Sequence, residues 1–283
     1  MSEPAISTIS TITTCSLSSG SSGNCIFVGC GKTNILFDAG LSAKATMGLL
    51  AQIDKKIGDI SAIFVTHEHI DHTSGLKILI TKNKIPVYMV WESFDNLAAD
   101  YKSALGEVIN FINPKDSVTV GDLQVESYPI PHDSAASVGY IVRHAGDNSK
   151  KAVGIATDVG HMSGDIVEAM SGCHVIYIES NHDPEMLKNS SYPPQVKQRI
   201  KSPRGHLSNL ECAQILPHLI KNGARKIILY HLSGENNTKE LAVQQSKASI
   251  LGAKLNVGTV YLGVAPRSAP SKMVSVKSKQ EKP

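Results

Sequence analysis

The chain has 283 residues, of which 41% are hydrophobic and 19% are charged. This balance is typical of a globular protein that can bury a sizeable core, and it excludes a disordered or fibrous chain. No apolar run reaches the roughly 18 residues that cross a bilayer. Residues 1–14 also lack the basic start and apolar centre of a secretory signal. We therefore expect a cytoplasmic protein without a membrane partner.

The formal net charge of +3 arises at the C-terminal end of the chain. Residues 266–283 contain five basic residues and one acid, whereas the rest of the chain has 23 basic and 24 acidic residues. Because this end is rich in Pro, Ser, Lys and Gln, we predict a basic, disordered tail over 266–283 and a single domain over 10–265. Such a tail is a solubilising segment or a weak electrostatic aid to nucleic-acid binding.

Five cysteines are spread widely along the chain, and no Cys-x-x-Cys occurs. An odd number at this spacing argues against a disulfide framework and against a cysteine zinc site. We expect reduced thiols, mostly buried.

Short apolar runs alternate with amphipathic segments through the first part of the chain. A Gly-Cys-Gly turn separates the first two predicted strands. The predicted elements are strands 25–28 and 34–37, helix 43–54, strand 62–66, helix 73–82, strand 86–90 and helix 92–105.

The stretch 108–142 then predicts several strands, with turns at 113–114, 121–122 and 129–131. The elements predicted after it are strands 152–156, 175–178 and 225–230, helices 209–221 and 238–251, and a last strand near 259–262. This order predicts an α/β fold, a four-layer αββα sandwich of two mixed sheets with helices outside.

Several predicted strands end in side chains that can bind a metal. The strand 62–66 runs into His67-Glu68-His69-Ile70-Asp71-His72, and later segments lead to His132, Asp158 and His231. Loops at strand ends converge on one cleft, so packing alone does not account for this recurrence.

The spacing of the first cluster suits two ions. Residues two apart in an extended segment face the same way, which pairs His67 with His69. Asp71 and His72 fall where the next helix begins and can turn towards a second ion about 3.5–4 Å from the first, with Asp158 able to bridge the two. Imidazoles and carboxylates without thiolates suit two divalent ions, zinc or manganese, with iron as a further option.

These residues resemble the signature of the metallo-β-lactamase superfamily, in order and separation. The resemblance implies that His67, His69 and His132 hold one metal. It implies that Asp71, His72 and His231 hold the other, with Asp158 between them.

Further motifs resemble the YycJ-like (WalJ) subgroup of the nucleic-acid-processing branch. They are Ser19-Gly20-Ser21-Ser22-Gly23-Asn24, Phe37-Asp38-Ala39-Gly40, Pro131-His132-Asp133-Ser134, Thr157-Asp158-Val159-Gly160, Glu179-Ser180-Asn181-His182-Asp183, Gly205-His206-Leu207-Ser208-Asn209 and His231-Leu232-Ser233. The subgroup commonly has threonine at the position of Val159. The resemblance implies a 5′-to-3′ DNA exonuclease with two manganese or zinc ions, with DNA rather than RNA as its nucleic-acid partner.

The segment before helix 209–221 adds an independent indication of phosphate chemistry. Ser208 and Glu211 form a Ser-x-x-Glu capping box. A helix N-terminus with His206 close by suits a phosphate. We therefore predict phosphate binding by His206, Ser208, Asn209 and His182, and catalytic roles for Asp71, Asp158, His206 and His182.

Two other functions stay open. A thioesterase or lactonase on the same fold would use the same metals to activate water, and fold does not fix substrate. The near-neutral body and the 14 aromatic residues favour it slightly, since platforms for single strands use aromatic side chains. A non-catalytic metal-binding adaptor is the third option, although every expected ligand is present.

Overall fold

Two sheets form the centre of the computed structural model, which describes residues 11–146 and 151–277. The first sheet contains β1 (Thr11–Ser18), β2 (Cys25–Cys30), β3 (Thr33–Phe37), β4 (Ala62–Phe64), β5 (Val87–Val90), β6 (Ile109–Ile112) and β14 (Val274–Lys277). The second contains β7 (Ser117–Val120), β8 (Leu123–Ile130), β9 (Ser137–His144), β10 (Val153–Ala156), β11 (Val175–Glu179), β12 (Lys226–Tyr230) and β13 (Tyr261–Val264).

Helices connect the strands and cover the outer sheet faces. They are α1 (Ala43–Ala51), α2 (Ile70–Thr73), α3 (Leu76–Asn83), α4 (Trp91–Asp95), α5 (Ala99–Leu105), α6 (Gly164–Met170), α7 (Pro184–Asn189), α8 (Pro194–Ile200), α9 (Asn209–Lys221) and α10 (Lys239–Gly252). Short 3-10 turns lie at Ile57–Asp59 and Val257–Thr259.

Both sheets are mixed. In the order β14-β1-β2-β3-β4-β5-β6, the first sheet is antiparallel as far as β3 and parallel from β3 to β6. In the order β13-β12-β11-β10-β9-β8-β7, the second is parallel as far as β10 and antiparallel beyond it. The parallel strands of each sheet therefore end at a common edge, where their loops can form one site.

Three separate apolar clusters show that the fold has four layers. Because side chains alternate along a strand, Ile35 of β3 packs between the sheets while Leu36 packs under the helices outside the first sheet. Likewise Ile228 of β12 faces the other sheet while Leu229 faces the helices of the second. The predicted αββα sandwich of two mixed sheets is confirmed.

The predicted helix 73–82 is interrupted near its start, because Thr73 ends α2 and α3 begins only at Leu76, after Gly75. A Cβ at Gly75 would lie 1.9 Å from the carbonyl oxygen of Leu41, so only glycine fits this close backbone contact. The predicted helix 92–105 is likewise broken, into α4 and α5.

The turn predicted at 129–131 is wrong for Pro129, which lies inside β8 and pairs with Val138 of β9. On its other side β8 pairs with β7 only as far as Glu126. Pro129 therefore lies where β8 is an edge strand, and its missing N–H costs no ladder hydrogen bond there.

The tail predicted over 266–283 is ordered as far as residue 277, so the predicted domain boundary at 265 is wrong. Val274 and Val276 are buried, and β14 pairs with β1 in antiparallel register. Alternation of these valines with polar residues is a strand pattern that the Lys- and Pro-rich composition obscured. The remaining part of the predicted tail, 278–283, lies outside the described residues.

All five cysteines are buried, in agreement with the prediction of mostly buried thiols. Within the described ranges, no helix is both long enough and apolar enough to cross a membrane.

Gly40 and Gly48 offer a matched test of how tightly the segment after β3 is packed. A Cβ at Gly40 would lie 1.7 Å from the carbonyl oxygen of Asp71, whereas a Cβ at Gly48, on the exposed side of α1, would meet nothing within 4 Å. We expect Gly40→Ala to lower the free energy of unfolding by about 1–3 kcal/mol or more. Gly48→Ala should raise it by about 0.5–1 kcal/mol, because alanine is the better helix former.

Urea unfolding of the two variants and the unchanged protein gives these differences directly. Equal stability of Gly40→Ala and the unchanged protein would show that the loops of the site are loosely packed.

Candidate metal centre

The His67–His72 segment leaves β4 and enters α2, so that its imidazoles gather at the end of the first sheet. His67 and His72 are fully buried, and their ring centroids lie 4.1 Å apart. His67 Nε2 lies 3.0 Å from His69 Nδ1. The predicted pairing of His67 with His69 therefore agrees with the geometry.

A first cluster joins these two histidines to His132, which follows β8 in the other sheet. The potential ligand atoms of His67, His69 and His132 lie within 4.8 Å of one another. His132 Nδ1 donates to the carbonyl oxygen of Gly205 at 3.1 Å. This fixes the ring and leaves Nε2 buried with no hydrogen-bond partner among the described residues, as expected of a metal ligand.

A second cluster consists of Asp71, His72, Asp158 and His231. His72 Nε2 lies 3.2 Å from Asp158 Oδ2 and 3.6 Å from Asp71 Oδ2. His231 Nε2 lies 3.5 Å from Asp71 Oδ2 and is also buried without a hydrogen bond within the described part of the chain. All seven predicted metal ligands thus fall into two neighbouring groups.

Asp158 lies between the two clusters. Its Oδ2 faces His72 of the second cluster, and its Oδ1 lies 3.9 Å from His132 Nε2 of the first. This is the position that the sequence predicted for a bridging carboxylate.

Three of the site's loops begin with a residue in the left-handed backbone region. Asp38, Asp158 and His231, at the ends of β3, β10 and β12, have φ of 64°, 55° and 55°. Non-glycine residues in this region cost about 1–3 kcal/mol each, and such strain concentrates at functional sites. The side chains at all three turns contact the second cluster, Asp38 and Asp158 at His72 and His231 at Asp158.

Asp38 supports the second cluster from beneath and was not predicted as a site residue. Its buried carboxylate accepts hydrogen bonds from the backbone N–H of Thr66 and from His72 Nδ1, each at 2.8 Å. Burial alone would lower the pKa of His72, but the carboxylates of Asp38, Asp158 and Asp71 raise it well above its usual value. Asp38 thereby fixes the ring so that Nε2 faces the cleft.

Glu179, at the end of β11, is a second support that the sequence reasoning missed. It is fully buried and accepts hydrogen bonds from His206 Nδ1 at 2.8 Å and from His231 Nδ1 at 2.9 Å. It also accepts the backbone N–H groups of Val159 and Leu207. Burial raises the pKa of Glu179, but the two histidines more than offset this, so its pKa lies below its usual value. Its place at a strand end was the signal that could have identified it.

His206 lies at the open side of the cleft, between the two clusters. Its ring centroid is 5.1 Å from that of His132 and 5.4 Å from that of His231. Its side chain is 19% exposed, and Glu179 accepts its Nδ1 proton, which leaves Nε2 for a substrate. The phosphate contact predicted for His206 stays a prediction.

His182 is not brought into either cluster. Its side chain is buried, and Nδ1 lacks a hydrogen-bond partner among the described residues. Its backbone forms a bridge with Ser208 and accepts the N–H of Asn209.

The phosphate contacts predicted for Ser208 and Asn209 disagree with the structure. The Ser208 hydroxyl accepts the Glu211 N–H and donates to its carboxylate, which completes the predicted capping box and uses the group locally. The Asn209 amide is fully buried and is bonded to Ser180 and Asn237. A local capping pattern identifies a helix start but does not reveal which way the side chains point.

The donor sets fit divalent metal ions. Both consist of imidazoles and carboxylates, and the orphaned Nε2 atoms of His132 and His231 would otherwise be costly buried polar groups.

Comparison with known proteins identifies the family. A family model described as "Beta-lactamase superfamily domain" matches residues 33–232. "Exodeoxyribonuclease YycJ" of Bacillus anthracis is 37% identical over 247 residues, which cover 86% of this chain and 90% of that protein. The chain belongs to the metallo-β-lactamase superfamily and to its YycJ/WalJ group.

A second relative and a solved structure agree with this membership. "Exodeoxyribonuclease WalJ" of Streptococcus pneumoniae is 37% identical over 250 residues, again with 86% of this chain and 90% of that protein covered. The crystal structure of unliganded yeast PDE1 superimposes with a TM-score of 0.67 over 92% of this chain and 99% of that one. At 14% identity, that likeness concerns the fold alone.

Removing one ligand from each cluster tests whether this superfamily member binds two ions independently. We expect about two divalent ions per chain in the unchanged protein. His69→Ala and His231→Ala should each retain about one, because each removes a ligand from a different cluster. Elemental analysis of protein dialysed against zinc or manganese measures the content.

His218→Ala is the matched control, since His218 is exposed on α9. Full metal content in His69→Ala or in His231→Ala would contradict the assignment of the two clusters.

In protein from which a chelator has removed the metal ions, the free energy of unfolding should fall as pH rises. Burial opposes a charged His231, but Asp158, Asp71 and Glu179 raise its pKa from 6.5 to about 10. The folded state then binds a proton that the unfolded state releases above pH 6.5. This contribution is complete below pH 6.5 and is lost as pH rises towards about 10.

Urea unfolding in the presence of a chelator, across pH 6.5 to about 10, measures the slope. His231→Asn should flatten it, while the exposed-histidine variant His218→Asn should not. An identical slope in His231→Asn and the unchanged protein would show that His231 binds no such proton.

Proposed function

We propose that the chain is a metal-dependent exodeoxyribonuclease that hydrolyses phosphodiester bonds from the 5′ end of DNA. The observation that carries the proposal is the position of Asp158, within reach of both ligand clusters. The relatives named exodeoxyribonuclease, which align with 86% of this chain, support the same reaction class.

Two zinc or manganese ions are the proposed cofactors, with iron as a further candidate. His67, His69 and His132 would hold one ion, and Asp71, His72 and His231 the other, with Asp158 shared. When bound, such a pair lowers the pKa of a shared water and neutralises charge on a phosphate.

Asp71 and Asp158 differ in exposure, and their roles would differ accordingly. The Asp71 side chain is 18% exposed, whereas that of Asp158 is 3% exposed. Asp71 can therefore contact an attacking water from the open side and orient it. Asp158, which is buried between the two clusters, would keep their ligands in position.

His206 would bind a phosphate oxygen or protonate the leaving oxygen. Burial lowers its pKa, but Glu179 and Asp158 more than offset this and raise it above its usual value. This shift favours the protonated ring, which is the form that can donate to a phosphate or a leaving oxygen. His182 remains a weaker candidate for a phosphate contact, because its ring is buried outside both clusters.

Basic side chains beside the site favour a polyanionic substrate over a small ester. Arg204 Nε donates to the carbonyl oxygen of His132 at 2.8 Å. Arg199, whose side chain is 63% exposed, pairs with Asp133. Lys201 is exposed between them in the chain. Although the chain outside residues 266–283 is close to neutral, these cations give the cleft a local positive border suited to DNA phosphates.

Cleavage of end-labelled oligonucleotides tests the proposal. With zinc or manganese, the protein should release labelled mononucleotide from 5′-labelled DNA at once and shorten 3′-labelled DNA progressively. RNA of the same sequence should be cut more slowly. Asp71→Ala should lower the rate by about a hundredfold or more, as general acid–base groups contribute about 10²–10⁴-fold.

His218→Asn controls for substitution of a polar residue away from the cleft, and it should cleave like the unchanged protein. Intact DNA and RNA after incubation with metal-loaded protein, or equal rates for Asp71→Ala, would rule out the nuclease. In that case, faster hydrolysis of a thioester than of bis-p-nitrophenyl phosphate would identify the small-ester alternative.

A further inference from the structure

Three aromatic side chains form a cluster at the surface, although the chain has few aromatic residues. The ring centroid of Trp91 lies 5.6 Å from that of Phe94 and 5.0 Å from that of Phe111. Phe94 and Phe111 are 5.1 Å apart. Trp91, the single tryptophan of the sequence, is 52% exposed and Phe111 is 47% exposed.

The cluster lies at the same sheet edge as the first group of metal ligands. β4 and β5 run parallel, with Phe64 opposite Tyr88. His67 lies three residues after Phe64, and Trp91 lies three residues after Tyr88. Trp91 therefore begins α4 at the level where the His67–His72 loop begins.

Hydrogen bonds connect α4 to the loop that carries His132. Ser93 Oγ donates to the carbonyl oxygen of Ala136 in a short hydrogen bond. The N–H of the preceding residue, Ala135, donates to Glu68 Oε1 at 2.7 Å. The aromatic cluster thus borders the cleft on the side of His67 and His132.

Cations occupy the other border of that loop. Arg204 Nη2 donates to the carbonyl oxygen of Ser134 at 3.0 Å, and Arg199 pairs with Asp133. The segment 132–136 therefore separates a positive border from an aromatic one. A nucleic-acid strand has the same two chemistries, phosphates on one side and flat bases on the other.

Acidic neighbours define what the cluster can bind. Glu92 and Asp95 lie on the same helix as Trp91, and Asp95 is paired with Lys102. A phosphate would be repelled at this position, whereas an uncharged base or sugar would not. Both ring pairs that include Trp91 are tilted or edge-on, which leaves about half of the indole surface open for stacking.

We propose that Trp91, Phe94 and Phe111 form a stacking platform for an unpaired base of the strand whose phosphate enters the metal cleft. The platform rests on the proposed nuclease function and adds to it a preference for single-stranded or frayed ends. Exposed aromatic faces bind single strands without sequence selectivity, because every base has a π-face.

Intrinsic fluorescence of Trp91 tests the platform directly, because no other tryptophan contributes. The full-length protein, treated with a chelator to prevent cleavage, is titrated with a short thymidine oligonucleotide or with an abasic strand of equal length. We expect the thymidine strand to quench the fluorescence and to bind at least about tenfold more tightly than the abasic strand.

Binding of a dye-labelled strand, followed by anisotropy, extends the test to variants. Trp91→Ala should weaken binding of the thymidine strand by about tenfold and leave binding of the abasic strand unchanged. Trp91→Phe should restore most of the loss. Tyr261→Ala is the matched control, because Tyr261 is an aromatic residue 41% exposed at the start of β13 in the other sheet.

The possible outcomes separate the platform from the nuclease. Cleavage of DNA together with equal binding of both strands would overturn the platform and leave the nuclease intact. If binding is unchanged but Trp91→Ala or Phe111→Ala abolishes a dimer seen by sedimentation, the cluster is a self-association surface and the platform is wrong. Failure of cleavage in the labelled-strand assay would refute the nuclease itself.

Discussion

Buried charge is the constraint on which the rest of the site depends. Asp38, Asp158 and Glu179 are each no more than 3% exposed, and a carboxylate removed from water is costly unless it is paired. Each is paired with imidazoles, and Asp38 and Glu179 also accept backbone N–H groups. The carboxylates therefore fix the rings of His72 and His231, and the carbonyl oxygen of Gly205 fixes that of His132. With Nδ1 held in this way, Nε2 of all three rings faces one cleft. Two bound cations would balance the remaining negative charge better than protonated histidines do.

The fold and the clustering of the candidate metal ligands were predictable for different reasons. The alternation of apolar runs and amphipathic segments is a repeated, chain-wide signal, so it identified the sandwich despite errors at individual ends. The ligands were identifiable because imidazoles packed as closely as His67, His69 and His72 have little structural use. The bounds of α9, Asn209–Lys221, agreed fully because its capping box is a local interaction between Ser208 and Glu211.

The errors arose where a side chain's partner is distant in sequence. Glu179 is 52 residues from His231 in the chain, and Asp38 is 34 residues from His72, so no local pattern shows which histidine each carboxylate contacts. Asn209 was assigned to a phosphate because the helix start was visible, whereas its actual partners, Ser180 and Asn237, come together only in the folded chain. β14 was missed because the Lys- and Pro-rich composition obscured its alternation, and its pairing partner, β1, lies near the opposite end of the sequence.

The metal clusters alone do not select a substrate, because one fold can carry many different reactions. Selectivity must therefore arise at the borders of the cleft, where the chain differs from a minimal metal-binding sandwich. One border carries Arg199 and Arg204, and the other carries Trp91 and Phe111. Arg199 and Arg204 contact the loop 132–136 directly, and α4, which carries Trp91, contacts it through Ser93. Because this loop also carries His132, a strand held across it would reach the metals with its phosphate and the rings with its base. A small ester would use neither border, which is why the surroundings of the cleft, more than its ligands, favour a nucleic-acid substrate.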